Sequence, residues 1–409
     1  MRGLTNIMTN SVGIDKDARS YRLTNIDMLR GLVIIIMAID HVRDYFMLGG
    51  VQDPMAEPDV SAGVYFTRWI THFCAPVFVF LAGTSIGLMA ERKSQNEVAG
   101  FVFKRGLWLV FVEIAIISTA TSFAPLGEPN MGGLTMIVLQ VIWVLGIGML
   151  VLSVAQFMGA RACFIIAVLI LAGHNLLDSV WPLGSIMGGS DPFWTSLHSQ
   201  GSMTLGPFYI ITVYPLLPWI GVMLLGYGTA FIFQKKPESR DAFLLKTGLA
   251  FIGAFIVIRA TGIYGDPNPW QVQNIGALAT FFDFMNVSKY PPSLIFILIT
   301  LGPMAIVCAY ADKLQGWLKD TLVMFGRVPF AFYVAHFYLI HLLSMFFGMT
   351  QGFEASQFLH FFFFYPQGYG TGLTGVYIVW FIVLLILYPF CKWMAEIKRR
   401  RKDWWLSYL

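Results

Sequence analysis

Charge is what this sequence has least of. Asp, Glu, Lys and Arg make up 12% of its 409 residues, where a soluble globular chain carries about 25%. Hydrophobic residues reach 57%, aromatics 16%, and the mean hydropathy is +0.67. This balance excludes a disordered chain, a nucleic-acid-binding protein and an ordinary cytosolic enzyme. Cysteine is scarce as well. Cys74, Cys163, Cys308 and Cys391 lie inside or at the end of apolar runs, and no C-x-x-C pair occurs. Neither a disulfide framework nor a zinc site is indicated. The seven histidines show no H-x-x-x-H or H-E-x-x-H spacing, so no metal is expected. A cleavable leader is missing too. Residues 1–25 are polar and mixed, and no small-residue cleavage site follows the first apolar run, which is therefore expected to be a permanent span.

What is abundant is the long apolar run. Stretches of about 20 residues recur, whereas a membrane barrel would alternate over about 10. The fold class expected is an all-α polytopic membrane protein with about ten transmembrane helices. They lie near 26–48, 66–90, 102–122, 134–155, 162–180, 208–233, 243–263, 291–311, 321–347 and 373–395. The 27 Lys and Arg divide 23 to four between the two sides of this scheme. The four are Arg43, Arg68, Arg259 and Lys289. By the positive-inside rule both termini are then cytoplasmic. The expected organisation is an N-terminal tail over 1–25, one transmembrane unit over 26–395 and a basic tail over 396–409. Three outer loops, 49–65, 181–207 and 264–290, are long and rich in Gly, Pro and aromatics, and a fourth, 348–372, holds the run His360 to Tyr365. Such loops are candidates for a site entrance. No internal repeat is evident, which argues against inverted-repeat transporters.

The polar chemistry collects in a few places. The first run carries Asp27 and Arg30 at one end and Asp40, His41, Arg43 and Asp44 at the other. Eleven residues separate Arg30 from His41, roughly 16 Å along a helix, so the second cluster falls in the outer part of the bilayer. Ionisable groups at that depth are costly and by default functional. A carboxylate, Asp40 or Asp44, beside an imidazole orients it and raises its basicity. His41 is therefore the candidate general base for an amine or hydroxyl nucleophile. An internal ion-pair set is the structural alternative. His72 and His336 are placed to reach the same cavity, and Glu113 sits mid-run in need of a partner. Lys289, in Lys289-Tyr290-Pro291-Pro292, is one of the few outer cations. Arg43, Glu113, Lys289 and His336 are the candidates for holding a substrate. On the inner face Arg30, Lys104, Arg105 and Arg327 flank run ends. They suit a phosphate-rich donor, although positive-inside topology alone would also put basic residues there.

Several segments resemble a known family. The stretch Arg22 to Gly31 is similar to the start of the heparan-α-glucosaminide N-acetyltransferase catalytic domain, in particular to its bacterial members. Further resemblance lies in Cys74-Ala75-Pro76-Val77-Phe78-Val79-Phe80-Leu81-Ala82-Gly83, in Tyr214-Pro215-Leu216-Leu217-Pro218-Trp219, in Lys289 to Leu294 and in Phe325-Gly326-Arg327-Val328-Pro329-Phe330. Together these cover roughly 22–345. The resemblance implies a transmembrane acyltransferase of the bacterial cytoplasmic membrane. Its donor would be cytosolic acetyl-CoA and its acceptor an extracytoplasmic sugar or glycan. A sister family of membrane O-acyltransferases carries a functional histidine eleven residues after its first-span arginine, the spacing of His41 from Arg30. The eukaryotic enzyme has asparagine there and its proposed catalytic histidine in the next outer loop. In this chain 49–65 has no histidine, while His72 stands four residues before Pro76, where that enzyme has aspartate. His41 is thus favoured, with His72 second. Membrane lipid surrounds such a protein. The sequence leaves open a homodimer, the acyl chain length, N- against O-acylation, and a sugar or anion transporter as the alternative class.

Overall fold

A chain in lipid has no water to satisfy its peptide groups, so apolar runs close their backbone bonds internally as helices. The structure, a computed structural model, describes residues 16–49, 53–57, 59–180, 184–186, 188, 191–401 and 403–408. Arg2 and Lys402, counted above with the inner basic residues, lie outside these. The chain runs α1 (Lys16–Phe46), α2 (Ala62–Thr71), α3 (Cys74–Ala90) and α4 (Gln95–Phe111). A π-turn, Val112–Ile117, joins α4 to α5 (Ser118–Ser122). Then come β1 (Thr135–Leu139), α6 (Val141–Ala155), α7 (Ala160–Gly173), α8 (Pro192–Leu197), β2 (Gly201–Leu205) and β3 (Phe208–Thr212). The second half is α9 (Leu216–Gly228), α10 (Pro237–Thr261), α11 (Ala277–Met285), α12 (Leu294–Tyr310), α13 (Trp317–Arg327), α14 (Pro329–Thr350) and α15 (Leu373–Arg400).

Among the described residues, eight helical segments are long and apolar enough to cross a membrane. This is an integral membrane protein of the helical kind. The eight correspond to eight of the ten expected runs. The other two are α1 and the continuous α4–α5 segment, long helices that carry charge within the run: Asp27, Arg30, Asp40, Arg43 and Asp44 in the first, Lys104, Arg105 and Glu113 in the second. Helix α1 begins at Lys16 and α15 continues to Arg400, so both reach into the segments expected as tails.

Three departures from the expected runs have local causes. The second run breaks at His72 and Phe73, because the ring of Pro76 clashes with the carbonyl four residues back and offers it no N–H. The ninth divides at Val328, the residue before Pro329, where the α conformation is disfavoured. The fourth and sixth begin as strands: β1 lies parallel to β3, Thr135 opposite Phe208 and Leu139 opposite Thr212, and β2 lies antiparallel on the other side of β3. Their apolar, β-branched residues read as the start of a span but pair as a small sheet at the loop-rich end. Phe361 packs on Met136, Val138 and Ile211 of this sheet. Buried Glu128 fixes the loop there, taking His360 Nδ1 at 2.6 Å and the Phe361 N–H at 3.1 Å.

Helix α1 is the centre of the bundle, packed against α3, α13, α14 and α15. Its contact with α13 is backbone to backbone. A Cβ at Gly31 would fall on the Leu322 carbonyl and one at Gly326 on the Asp27 carbonyl. Small residues allow this approach in a membrane, where packing replaces the hydrophobic driving force.

Candidate active site

One face of α1 spans the site. Arg30, Ile34, Met37 and His41 follow at three- and four-residue steps, so their side chains stack along the helix. The first three line a cavity of about 610 Å³. Five cations line its basic end, Arg30, Arg105, Arg327, Lys398 and Arg399, against one carboxylate, Asp27. Arg30 is fixed by Asp27 Oδ1 at 3.3 Å, by the Leu81 carbonyl at 3.4 Å and by the Ser85 hydroxyl. Arg327 Nε faces Asp27 Oδ2 at 3.9 Å, and Lys398 Nζ donates to the Arg327 carbonyl at 3.1 Å. Three of the four expected donor-binding residues thus come together. Lys104 does not: it is exposed and lines no part of this cavity.

The far wall is Met37, Val141, Ile142 and Tyr333. Tyr333 is 3% exposed, and among the described residues its hydroxyl has no hydrogen-bond partner. Met37 is four residues before His41, and Tyr333 is three before His336. The cavity therefore ends one helical turn from the contact of those two histidines.

That contact is short: His41 Nδ1 lies 2.6 Å from His336 Nε2. The rings stack with centroids 4.9 Å apart, and Phe337 covers His41 at 4.3 Å. His336 Nδ1 points at two backbone carbonyls, those of Tyr333 and, at 3.1 Å, Phe332. Carbonyl oxygens only accept, so His336 Nδ1 carries the hydrogen. A neutral His336 then accepts at Nε2, and His41 Nδ1 must donate. This leaves the lone pair of neutral His41 on its Nε2.

The sequence assigns the orienting role to Asp40 or Asp44. In the structure both carboxylates go to arginines. Asp40 takes Arg68 Nη1 at 2.6 Å and faces Arg43 Nη2 at 3.2 Å, and Asp44 takes Arg43 at 2.6 Å. Asp40 and His41 are sequence neighbours that leave the helix about 100° apart, and for both carboxylates a guanidinium is a stronger partner than a neutral imidazole. His72 lies buried at the break before α3, its edge on Phe296, and no ring contact or hydrogen bond joins it to His41 among the described residues. The charges of Asp40, Arg43, Arg68 and Lys289 nevertheless act on both rings. Lys289 is buried, its ammonium over the Tyr290 ring at 5.1 Å. Among the described residues Arg43 Nε and Nη1 and His72 Nδ1 have no hydrogen-bond partner. Of the expected substrate-binding residues, His336 touches His41, Arg43, two residues further along α1, pairs with Asp40 and Asp44, and Lys289 lies in the loop before α12. Glu113 instead accepts the Gln140 N–H at 2.7 Å and anchors the start of α6, where a carboxylate meets the positive end of the helix.

Residues 22–260, more than half of the chain, match the model of the heparan-alpha-glucosaminide N-acetyltransferase catalytic-domain family. The chain belongs to this family. Its members are membrane acetyltransferases. No curated protein matches the chain in sequence. Within the matched stretch this acetyltransferase-family chain carries Asp27, Arg30, Asp40, His41, His72 and Arg105. Lys289, Arg327, Tyr333, His336 and Lys398 come from beyond it, so the site is completed by the loop before α12 and by α13, α14 and α15.

Tyr333, Lys398 and Arg399 were not singled out by sequence. A tyrosine in an apolar run reads as packing, and basic residues after a last span read as topology. One motif escaped the reading of the sequence, and the fold gives it no role. Gly83-Thr84-Ser85-Ile86-Gly87 has the spacing of a nucleophile elbow, but it lies inside α3, not at the strand-to-helix turn that exposes such a serine.

Proposed function

We propose that this protein moves an acetyl group from cytosolic acetyl-CoA to an amine or hydroxyl of an extracytoplasmic sugar, with His41 as general base. The basic end of the bundle is then cytoplasmic, as are both termini, and the chain crosses ten times. The membrane is the cytoplasmic membrane of a bacterium. The observation that carries the reading is the cavity with five cations at one end and Tyr333, beside the His41–His336 pair, at the other. CoA phosphates suit the arginines, which bind them through charge-assisted, bidentate contacts. The pantetheine arm would follow the apolar walls to place the thioester near Met37 and Tyr333.

In the step itself the acceptor nitrogen or oxygen attacks the thioester carbonyl carbon. Its proton passes to His41 Nε2, the position the hydrogen-bond network leaves unprotonated. The carbonyl π pair moves to oxygen, where the unpartnered Tyr333 hydroxyl can donate to the developing charge. Collapse expels the CoA thiolate, which recovers the proton from the His41 imidazolium. His336 keeps His41 in the working tautomer throughout. Arg43, Lys289 and His72 surround the outer approach and are assigned to the acceptor. No step needs a metal.

The test is sided. Radiolabelled acetyl-CoA is supplied at the basic face of proteoliposomes holding a terminal amino sugar inside. Label on the sugar is expected. Sugar uptake without donor, and without acetylation, would make the protein a transporter.

A further inference from the structure

The contact between α1 and α3 has a second flank. While Arg30 and Ser85 face the cavity above, Leu29 and Leu81 face another, of about 600 Å³, walled by α3, α7, α9, α10 and α12. Its lining is almost wholly apolar, and none of the groups assigned to acyl transfer enters it. Three phenylalanines, Phe164, Phe231 and Phe243, line it and are 40%, 51% and 38% exposed, so it opens sideways from the bundle. A cavity of this kind in a membrane-embedded chain stays dry, because water there would find no polar partner.

The rim carries the opposite signal. Arg161, at the first turn of α7, lines the cavity. Lys235 sits with its ammonium 5.6 Å from the Phe231 centroid and 5.4 Å from that of Phe243. Among the described residues neither cation has a carboxylate partner. An apolar chamber open to the bilayer, with two uncompensated cations at its mouth, fits a molecule with a long hydrocarbon chain and an anionic head. Basic pockets between membrane helices take phosphate headgroups in this way. We propose that this cavity is a binding site for an anionic phospholipid, one acyl chain inside and the phosphate held by Arg161 and Lys235. A zwitterionic choline lipid brings its own cation to the same rim and is disfavoured. The site is independent of the acyl-transfer reading.

Native mass spectrometry of the full chain, released from nanodiscs of equal phosphatidylglycerol and phosphatidylcholine, tests this. The expected spectrum retains phosphatidylglycerol at least tenfold over phosphatidylcholine. Arg161→Gln with Lys235→Gln should abolish that preference without changing the melting curve in detergent. Ala305→Trp, which fills the cavity, should remove the retained lipid of either kind; Thr247→Phe does the same from another wall if the first variant fails to fold. Equal retention of the two lipids by the unaltered protein, or an intact preference in the double variant, would overturn the proposal.

Discussion

His41 and His336, 295 residues apart in the chain, share a hydrogen bond of 2.6 Å. Because the far nitrogen of His336 is committed to backbone carbonyls, the pair has one arrangement when both rings are neutral, with the lone pair on His41 Nε2. An aspartate does this work in a serine hydrolase triad, where the wrong tautomer costs about 10⁴ in kcat. His336→Phe keeps an aromatic of similar shape and removes the acceptor. It should lower kcat between about 10- and 10⁴-fold with KM for acetyl-CoA little changed. Steady-state kinetics on the purified variant, with a melting curve beside it, checks this.

Tyr333→Phe isolates the hydroxyl. Its ring edge on His41, at 6.2 Å, and the carbonyl that holds His336 are both retained. Loss of one oxyanion donor costs about 10²–10³ in kcat. Infrared spectra of carbonyl-labelled acetyl-CoA should show a C=O shift on binding to the unaltered protein and none in the variant.

The cations of the first cavity separate by position. Arg30→Ala or Arg105→Ala should weaken CoA binding about tenfold or more, a charge-assisted contact being worth about 1.5–3 kcal/mol. Lys104→Ala, next in sequence to Arg105 but outside the cavity, should leave the affinity as it is. Isothermal titration with CoA in detergent distinguishes the three. A loss in Lys104→Ala equal to that in Arg105→Ala would mean a diffuse field at the basic face and no defined pocket.

Arg68 is 7% exposed and holds Asp40 at 2.6 Å. Removing one member of a buried pair leaves a charge uncompensated and costs about 3–5 kcal/mol. Arg43, at 3.2 Å from the same carboxylate, takes up part of that, so Arg68→Ala should sit at the lower end. The double variant Arg68→Ala with Asp40→Asn should recover much of the loss. Thermal unfolding of the two single variants, Arg68→Ala and Asp40→Asn, and of the double variant reads the coupling.

Within single helices most of this site is legible in the sequence. Arg30 and His41 are spaced to share a helix face, and the cost of charge at that depth marks the Asp40–Asp44 cluster. What sequence spacing cannot carry is the pairing between helices. His336 reads as one candidate among seven histidines, and its partnership with His41 depends on how α14 crosses α1. Asp40, adjacent to His41 in sequence, looks like its partner but points elsewhere on the helix. The strands β1 and β3 are hidden for another reason: five mostly apolar residues that end one to three residues short of an apolar helix have the composition of one longer span. Proline gives away the remaining departures, since Pro76 and Pro329 mark the breaks at His72 and Val328.

The central claim is that His41 takes the acceptor proton. The most direct measurement is acetyl transfer from acetyl-CoA to an amino sugar by reconstituted His41→Ala, alongside its CoA affinity and melting curve. General-base catalysis contributes about 10²–10⁴-fold, so the expected result is a loss of that size with CoA binding and stability retained. Turnover near that of the unaltered protein would contradict the assignment.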